Sequence, residues 1–192
     1  MIAAPAGHGS ELAALAPAGL EVEIVPGGES RSESVARAFE RAGSELVAVH
    51  DAARPLVTAE LIDAVLAKLA SRPDAAGVIA AAPLVDTVKR AREPRPAKGD
   101  FERGGPTVAK TESRDHLWAA QTPQAFRVAA LRDALAADPQ RVAAATDDAM
   151  LVEKAGGKVL IEPAPAENLK VTTEADLRIA ELLLGEPRTP RR

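Results

Sequence analysis

Cysteine is absent from this 192-residue chain, and aromatic residues make up only 2% of it. The first absence excludes disulfides, thiolate zinc sites and cysteine nucleophiles, and it is compatible with a reducing compartment. The second means that Ala, Leu, Val and Ile must build the core, within a hydrophobic content of 46%. No long basic block occurs before the last few residues, and the formal net charge is -4. A nucleic-acid partner is therefore not expected, because phosphate-backbone binding needs a basic surface. No apolar run approaches the roughly 20 residues that a membrane span requires. The opening "MIAAPAGHGSEL" has no basic segment, and its apolar run is too short for a signal peptide. The expectation is a soluble, cytoplasmic protein with no membrane partner.

What is present is an alternation of short apolar runs and amphipathic stretches. "MIAA" and "EVEIV" (21–25) read as strands around a short helix, "SELAALA". "SRSESVARAFERAG" (30–43) reads as a helix, with Ser30 and Glu33 at capping-box spacing. The strand "ELVAVH" (45–50) is followed by a helix over 58–70, for which Thr58 is the N-cap. Its Leu61, Ile62, Val65, Leu66 and Leu69 recur at helical spacing and define one apolar face. "GVIAAAP" (77–83) reads as a buried strand. This βαβα order predicts an α/β fold, a mostly parallel sheet covered by helices on both faces. After residue 84 the rhythm breaks. "LVDTVKR" and "TVAKT" read as two strands of a hairpin arm over about 84–113, with a long exposed tip rich in Pro, Gly and charge. "HLWAAQTPQAF" returns to the core with Trp118 buried. Helices are expected near 127–136 and 146–155, then a strand at 158–162, a short extended piece "NLKVT" and a final helix "EADLRIAELLLG". Residues 1–185 read as one domain, and 186–192 as a disordered tail.

The turn "VHDAARP" uses an acid and a base where a simple reversal would use Gly, Asn or Ser. In open α/β sheets, ligands bind beyond the carboxyl ends of the strands. Asp51 there can accept from sugar hydroxyls or hold a divalent cation, and the Arg54 fork can grip a phosphate. Equally, Asp51 can satisfy turn amides while Arg54 makes a surface ion pair, since Asp often serves turns. Gly27 and Gly28 lie between a strand and a helix N-terminus, where bare amides favour a phosphate or nucleotide, although Gly-Gly can be only a tight turn. Lys170 precedes a helix that Thr173 and Asp176 can cap. Arg114, Thr122 and Gln124 surround Trp118 in "ESRDHLWAAQTPQAF".

Taken in order, GGxxRxxSV, VHDAARP, DTVK, R-x-x-LW-x-x-QTPQ-x-F, TDDAxLVE and N-x-KVTT-x-x-DL resemble the 2-C-methyl-D-erythritol 4-phosphate cytidylyltransferases over nearly the whole chain. The resemblance implies a Rossmann-like nucleotidyltransferase sheet with a protruding β-hairpin arm. It implies transfer of CMP from CTP to a sugar-alcohol phosphate, with release of pyrophosphate and with Mg2+ as cofactor, in isoprenoid precursor synthesis. The substrate phosphate attacks the α-phosphorus, so catalysis is positioning and charge stabilisation rather than protein nucleophilicity. By motif position, Gly27, Gly28, Ser34 and Ala52 fall on the nucleotide side. Asp51 and Arg54 face the sugar-alcohol phosphate, with Asp51 also near the metal, and Thr122 and Thr146 add hydroxyls. Lys170 and Arg114 are the catalytic candidates. Relatives of this kind are homodimers, so Thr87 and Arg114, on the arm, are expected to act in the partner's site.

Two departures from the pattern stand out. The arm tip between Lys89 and Thr111 is longer than the pattern leads one to expect. The family also opens with a strand and a Gly-rich loop bearing Arg and a Pro-Lys pair, and no stretch here matches that loop. The expectation is an N-terminally truncated chain with a gap in its sheet and without the main cradle for the triphosphate, which puts its own activity in question. Ribitol-5-phosphate cytidylyltransferase is the rival enzyme, but Ala53 of "HDAARP" and "VK" of "DTVK" favour methylerythritol phosphate. A catalytically inactive homologue that only dimerises is a second rival. A metal-dependent hydrolase would need several clustered carboxylates, and only Asp51 is well placed.

Overall fold

A computed structural model describes residues 1–93, 106–137 and 139–185. The chain begins with β1 (Ile2–Ala4), α1 (Gly9–Ala14), β2 (Ile24–Pro26), α2 (Arg31–Phe39) and β3 (Leu46–Val49). Next come α3 (Ala59–Ser71), β4 (Gly77–Pro83), β5 (Lys89–Ala91), β6 (Val108–Thr111) and β7 (Trp118–Arg127). It ends with α4 (Val128–Leu135), α5 (Pro139–Ala143), α6 (Asp148–Lys154), β8 (Val159–Pro163) and α7 (Glu174–Gly185). The expected helices and strands are all present, the stretch "NLKVT" lies outside helix and strand, and α5 is an addition. The expected disordered tail lies outside the described residues, as does most of the arm tip.

The central sheet has the order β3-β7-β4-β8. Strands β3, β4 and β8 run the same way, and β7 runs against them between β3 and β4. The reversal has a simple cause. The chain leaves β4 at Pro83, crosses the arm and re-enters at Trp118, which pairs with Pro83, so β4 and β7 form the base of one long antiparallel hairpin. The arm itself is the β5-β6 pair. β1 and β2 pair in parallel and, among the described residues, are not hydrogen-bonded to the central sheet.

Residues of β4 alternate between two cores, as the period of a strand requires. Val78 and Ala80 pack with Leu61, Val65 and Leu69 of α3. Ile79, facing the other way, packs with Phe126, Leu131, Leu151 and Val152 under α4 and α6. Coverage on both faces explains why "GVIAAA" is continuously apolar and continuously buried. The α3 stripe comes from positions i, i+4 and i+8, and Thr58 starts the helix by accepting from the Leu61 amide. Each of those three buried side chains contributes roughly 1.5–3 kcal/mol of transfer free energy. Among the described residues, Phe126 is the largest fully buried side chain. It fits because Gly77, its partner across the strands, has no Cβ; one there would stand 2.6 Å from the ring.

Trp118 corrects the expectation of burial. It is 39% exposed, because the first three residues of β7 overhang the core toward the arm and burial begins only at Gln121.

Candidate active site

The turn after β3 is built by its neighbours as much as by itself. The Asp51 amide donates to the Thr122 hydroxyl at 3.0 Å, and that hydroxyl lies 3.0 Å from His50 Nδ1. On the other side of the ring, His50 Nε2 lies 3.1 Å from the Arg54 carbonyl. A carbonyl can only accept, so Nε2 carries a proton; in the neutral ring Thr122 then donates to Nδ1. The Arg54 amide closes the turn on the Asp51 carbonyl at 2.9 Å. The His and the Asp therefore do different work: His50 staples the turn, and the Asp51 carboxylate is left for the cleft.

That carboxylate is held between two cations. Arg31 Nε donates to Oδ1 at 2.9 Å, and Lys170 Nζ donates to Oδ2 at 2.8 Å. Partial burial pushes the acid upward, but the hydrogen bonds from Lys170 and Arg31 outweigh it and hold Asp51 below the usual carboxylate range. Arg54 is fixed by its Nη1, which donates to the Asn168 carbonyl at 2.8 Å. Burial lowers its pKa, with Asp51 opposing, though a guanidinium stays charged at any ordinary pH. Lys170 arrives through the 168–171 segment, which runs beside the turn and donates the Val171 amide to the Ala53 carbonyl at 2.8 Å. Asn168 anchors that segment from inside, donating to Gln121 Oε1 at 2.8 Å and to the Thr122 carbonyl at 2.9 Å.

Behind Arg31 stands Asp148, the first residue of α6 and fully buried. Arg31 Nη1 lies 2.9 Å from its Oδ2. Burial raises the Asp148 pKa, Arg31 opposes the rise, and Asp147 and Asp51 add to it. Burial also lowers that of Arg31, but the two carboxylates more than offset it. Gln124 completes the wall. Its amide nitrogen donates to Asp147 Oδ2 at 3.0 Å and its oxygen accepts from the Ala149 amide at 3.2 Å, tying β7 to the start of α6.

Of these groups, Arg31, Asp51, Arg54, Gln124 and Lys170 line a cleft of about 250 Å³ at the carboxyl end of β3. Of the expected site residues, Asp51, Arg54, Thr122, Thr146 and Lys170 line it. Thr122 is buried with its hydroxyl engaged by the turn, and Thr146 donates to the Met150 sulfur. Gly27, Gly28, Ser34, Ala52, Thr87 and Arg114 are not among the lining residues. The amides at Gly27 and Gly28 are not bare, contrary to expectation. Gly27 donates to the Ala4 carbonyl at 2.7 Å and Gly28 to the Ser34 hydroxyl at 2.9 Å. A Cβ on Gly28 would lie 2.4 Å from Glu33 Cγ, so glycine lets Glu33 fold back over the start of α2. Thr87 and Arg114 are exposed on the arm side, where Arg114 donates to the Val85 carbonyl. Gln124, noted in the sequence beside Trp118, lines the cleft, as do Arg31, Gln121 and Asp147, which were not singled out. Each stands inside one of the quoted motifs, but only its neighbours in space give it a role.

Among the described residues, no group of three or more His, Cys, Asp or Glu is placed to hold a metal ion. Asp51 is one carboxylate in an open cleft, and each of its oxygens keeps a second lone pair beyond the bond it accepts. That donor set fits a magnesium ion carried mainly by substrate phosphates, the usual mode for this cation.

Residues 1–186 match the family described as 2-C-methyl-D-erythritol 4-phosphate cytidylyltransferase. The chain belongs to that family. It is 40% identical over 164 residues to the enzyme of that name from Bacillus licheniformis, covering 85% of this chain and 64% of the relative. It is 44% identical over 168 residues to the one from Streptomyces avermitilis, covering 86% and 63%. The chain thus spans somewhat less than two thirds of the length of these relatives. The crystal structure of the Thermus thermophilus cytidylyltransferase superposes with a TM-score of 0.69 at 32% identity, covering 88% of this chain and 79% of that one. No described helix is long and apolar enough to cross a membrane.

Proposed function

We propose that this chain takes part in transferring CMP from CTP to 2-C-methyl-D-erythritol 4-phosphate. The observation that carries the reading is the Asp51 carboxylate gripped by Arg31 and Lys170, beside a fixed Arg54, in the cleft at the end of β3. Family membership supplies the substrate class. In the reaction, a phosphate oxygen of the acceptor forms a bond to the α-phosphorus of CTP. The bond from that phosphorus to the bridging oxygen breaks, and pyrophosphate leaves with the electron pair. Lys170, 42% exposed, is free to swing onto phosphate oxygens and draw the two reactants together. Arg54 offers the free N–H groups of its two Nη atoms to an acceptor phosphate, and Asp51 orients Lys170 while accepting from sugar hydroxyls. A magnesium ion, when bound through the phosphates near Asp51, would neutralise charge developing on the leaving group.

The working unit is a homodimer in this reading. Thr87 and Arg114 belong to the arm side of their own chain, outside the cleft, which suits service to a partner's site. The cellular setting is the cytoplasm. The test is pyrophosphate release from CTP and methylerythritol phosphate, with ribitol 5-phosphate as competitor and magnesium varied. Product dominated by CDP-methylerythritol is expected. Product dominated by CDP-ribitol, or no release from CTP with either acceptor, would overturn the reading.

A further inference from the structure

Arg31 stands where three parts of the fold converge. It is the first residue of α2, it touches Asp51 in the turn after β3, and it touches Asp148 at the start of α6. Asp148 is fully buried, and neither of its oxygens makes an aligned hydrogen bond among the described residues. Its contact with Arg31 Nη1 at 2.9 Å is therefore an ion pair held by charge. A desolvated carboxylate is tolerated only beside a compensating cation, so Asp148 draws the guanidinium back toward α6. The plane of a guanidinium is rigid, and anchoring Nη1 fixes the direction in which Nε points. Nε points at Asp51 Oδ1.

The two cations on Asp51 are thus unlike. Lys170 is a flexible chain on the open side and can exchange one oxygen partner for another. Arg31 is 30% exposed and braced from behind. We propose that Arg31, anchored by Asp148, is a positioning residue that sets the orientation of the Asp51 carboxylate and does not itself grip substrate. The inference rests on the cytidylyltransferase reading above and adds to it a residue pair outside the reacting centre. Its physical basis is that a carboxylate turning freely would present Oδ2 to Lys170 only part of the time. Small misplacements of catalytic groups are costly in rate.

The experiment uses the full chain with Arg31→Lys and, separately, Asp148→Asn, each checked for a cooperative thermal melt. Arg31→Lys keeps the charge but cannot span both carboxylates, and it covers the case in which Asp148→Asn does not fold. Without any nucleotide, hydrogen exchange at Arg31 Nε–H is followed by 15N NMR. With CTP and methylerythritol phosphate, kcat and KM are measured separately. Exchange should be slow in the parent and clearly faster in Asp148→Asn. Both variants should lose on the order of 10- to 100-fold in kcat, with KM for each substrate within about threefold of the parent. A raised KM at unchanged kcat would make Arg31 a substrate ligand and defeat the proposal. Unchanged kcat per folded molecule would reduce the pair to a structural brace and defeat it too. Nε–H exchange that stays slow in Asp148→Asn would remove Asp148 as the anchor. A parent chain that releases no pyrophosphate defeats the functional reading alone, because the exchange measurement decides the anchoring without it.

Discussion

Lys170 and Asp51 are 119 residues apart in the chain, and the Lys170 ammonium donates to Asp51 Oδ2 across 2.8 Å. The contact joins the segment before α7 to the turn after β3, and it sets the open side of the cleft. Because the pair is partly exposed, its value lies in placing charge rather than in stabilising the fold.

Asp51→Asn removes the charge that both Arg31 and Lys170 address while keeping nearly the same shape. The expected loss in kcat/KM for pyrophosphate release is on the order of 100-fold or more, the scale for one positioned electrostatic group. Steady-state kinetics beside a thermal melt checks it. Activity close to the parent's would take Asp51 out of the machinery.

Arg114 and Lys170 test how the site is assembled. In an active homodimer, Arg114→Ala and Lys170→Ala should each be strongly impaired. If the arm serves the partner, a mixed dimer holds one site lacking both residues and one lacking neither. Random exchange makes half the dimers mixed, so activity should recover to about a quarter of the parent's. Mass spectrometry establishes the exchange. Confirmed exchange without recovery would place Arg114 in its own chain's site.

Gly77 and Phe126 make a packing test away from the chemistry. Gly77→Ala drives a methyl into the Phe126 ring and should cost about 1–3 kcal/mol, the range for overpacking. Phe126→Ala empties a fully buried aromatic site and should cost about 3–5 kcal/mol. Urea unfolding of the two single variants and the double variant measures both. In the double variant the clash has nothing left to strike, so the two costs should fall short of adding.

Asp176 gives a pH dependence with a definite sign. Its carboxylate accepts from the Thr172 and Thr173 amides and from the Thr172 hydroxyl at the start of α7. Those bonds lower its pKa from the model-compound value of 3.8 to about 2. The folded state therefore binds the proton less readily than the unfolded state does. The contribution is fully present above pH 3.8 and is lost as pH falls toward 2. Asp176→Asn should flatten that part of the stability curve, read from urea midpoints between pH 2 and 5. An unchanged slope would show that the cap is not formed in solution.

Much of the fold is set by signals a few residues long, and these could be read from the sequence. Thr58 caps α3, Leu61, Val65 and Leu69 form its buried stripe, and "GVIAAAP" is β4 with the expected bounds. Thr173 and Asp176 cap α7 as their spacing indicates. Helical and strand periods, and side-chain oxygens reaching amides three residues away, depend on the local chain alone. The ordered motifs likewise located Asp51, Arg54, Thr122 and Lys170 in the cleft. Tertiary structure decided the rest. Arg31 acquires its place only when the starts of α2 and α6 converge on the turn after β3, across separations no local pattern spans. Trp118 is apolar and was expected to be buried, but β7 outruns its covering layers before reaching it. The Gly27 and Gly28 amides are taken by Ala4 and Ser34, a pairing that depends on how β1 and β2 meet and where α2 begins. Pairing a charge or an amide depends on which element ends are brought together, and that is a property of the packed chain.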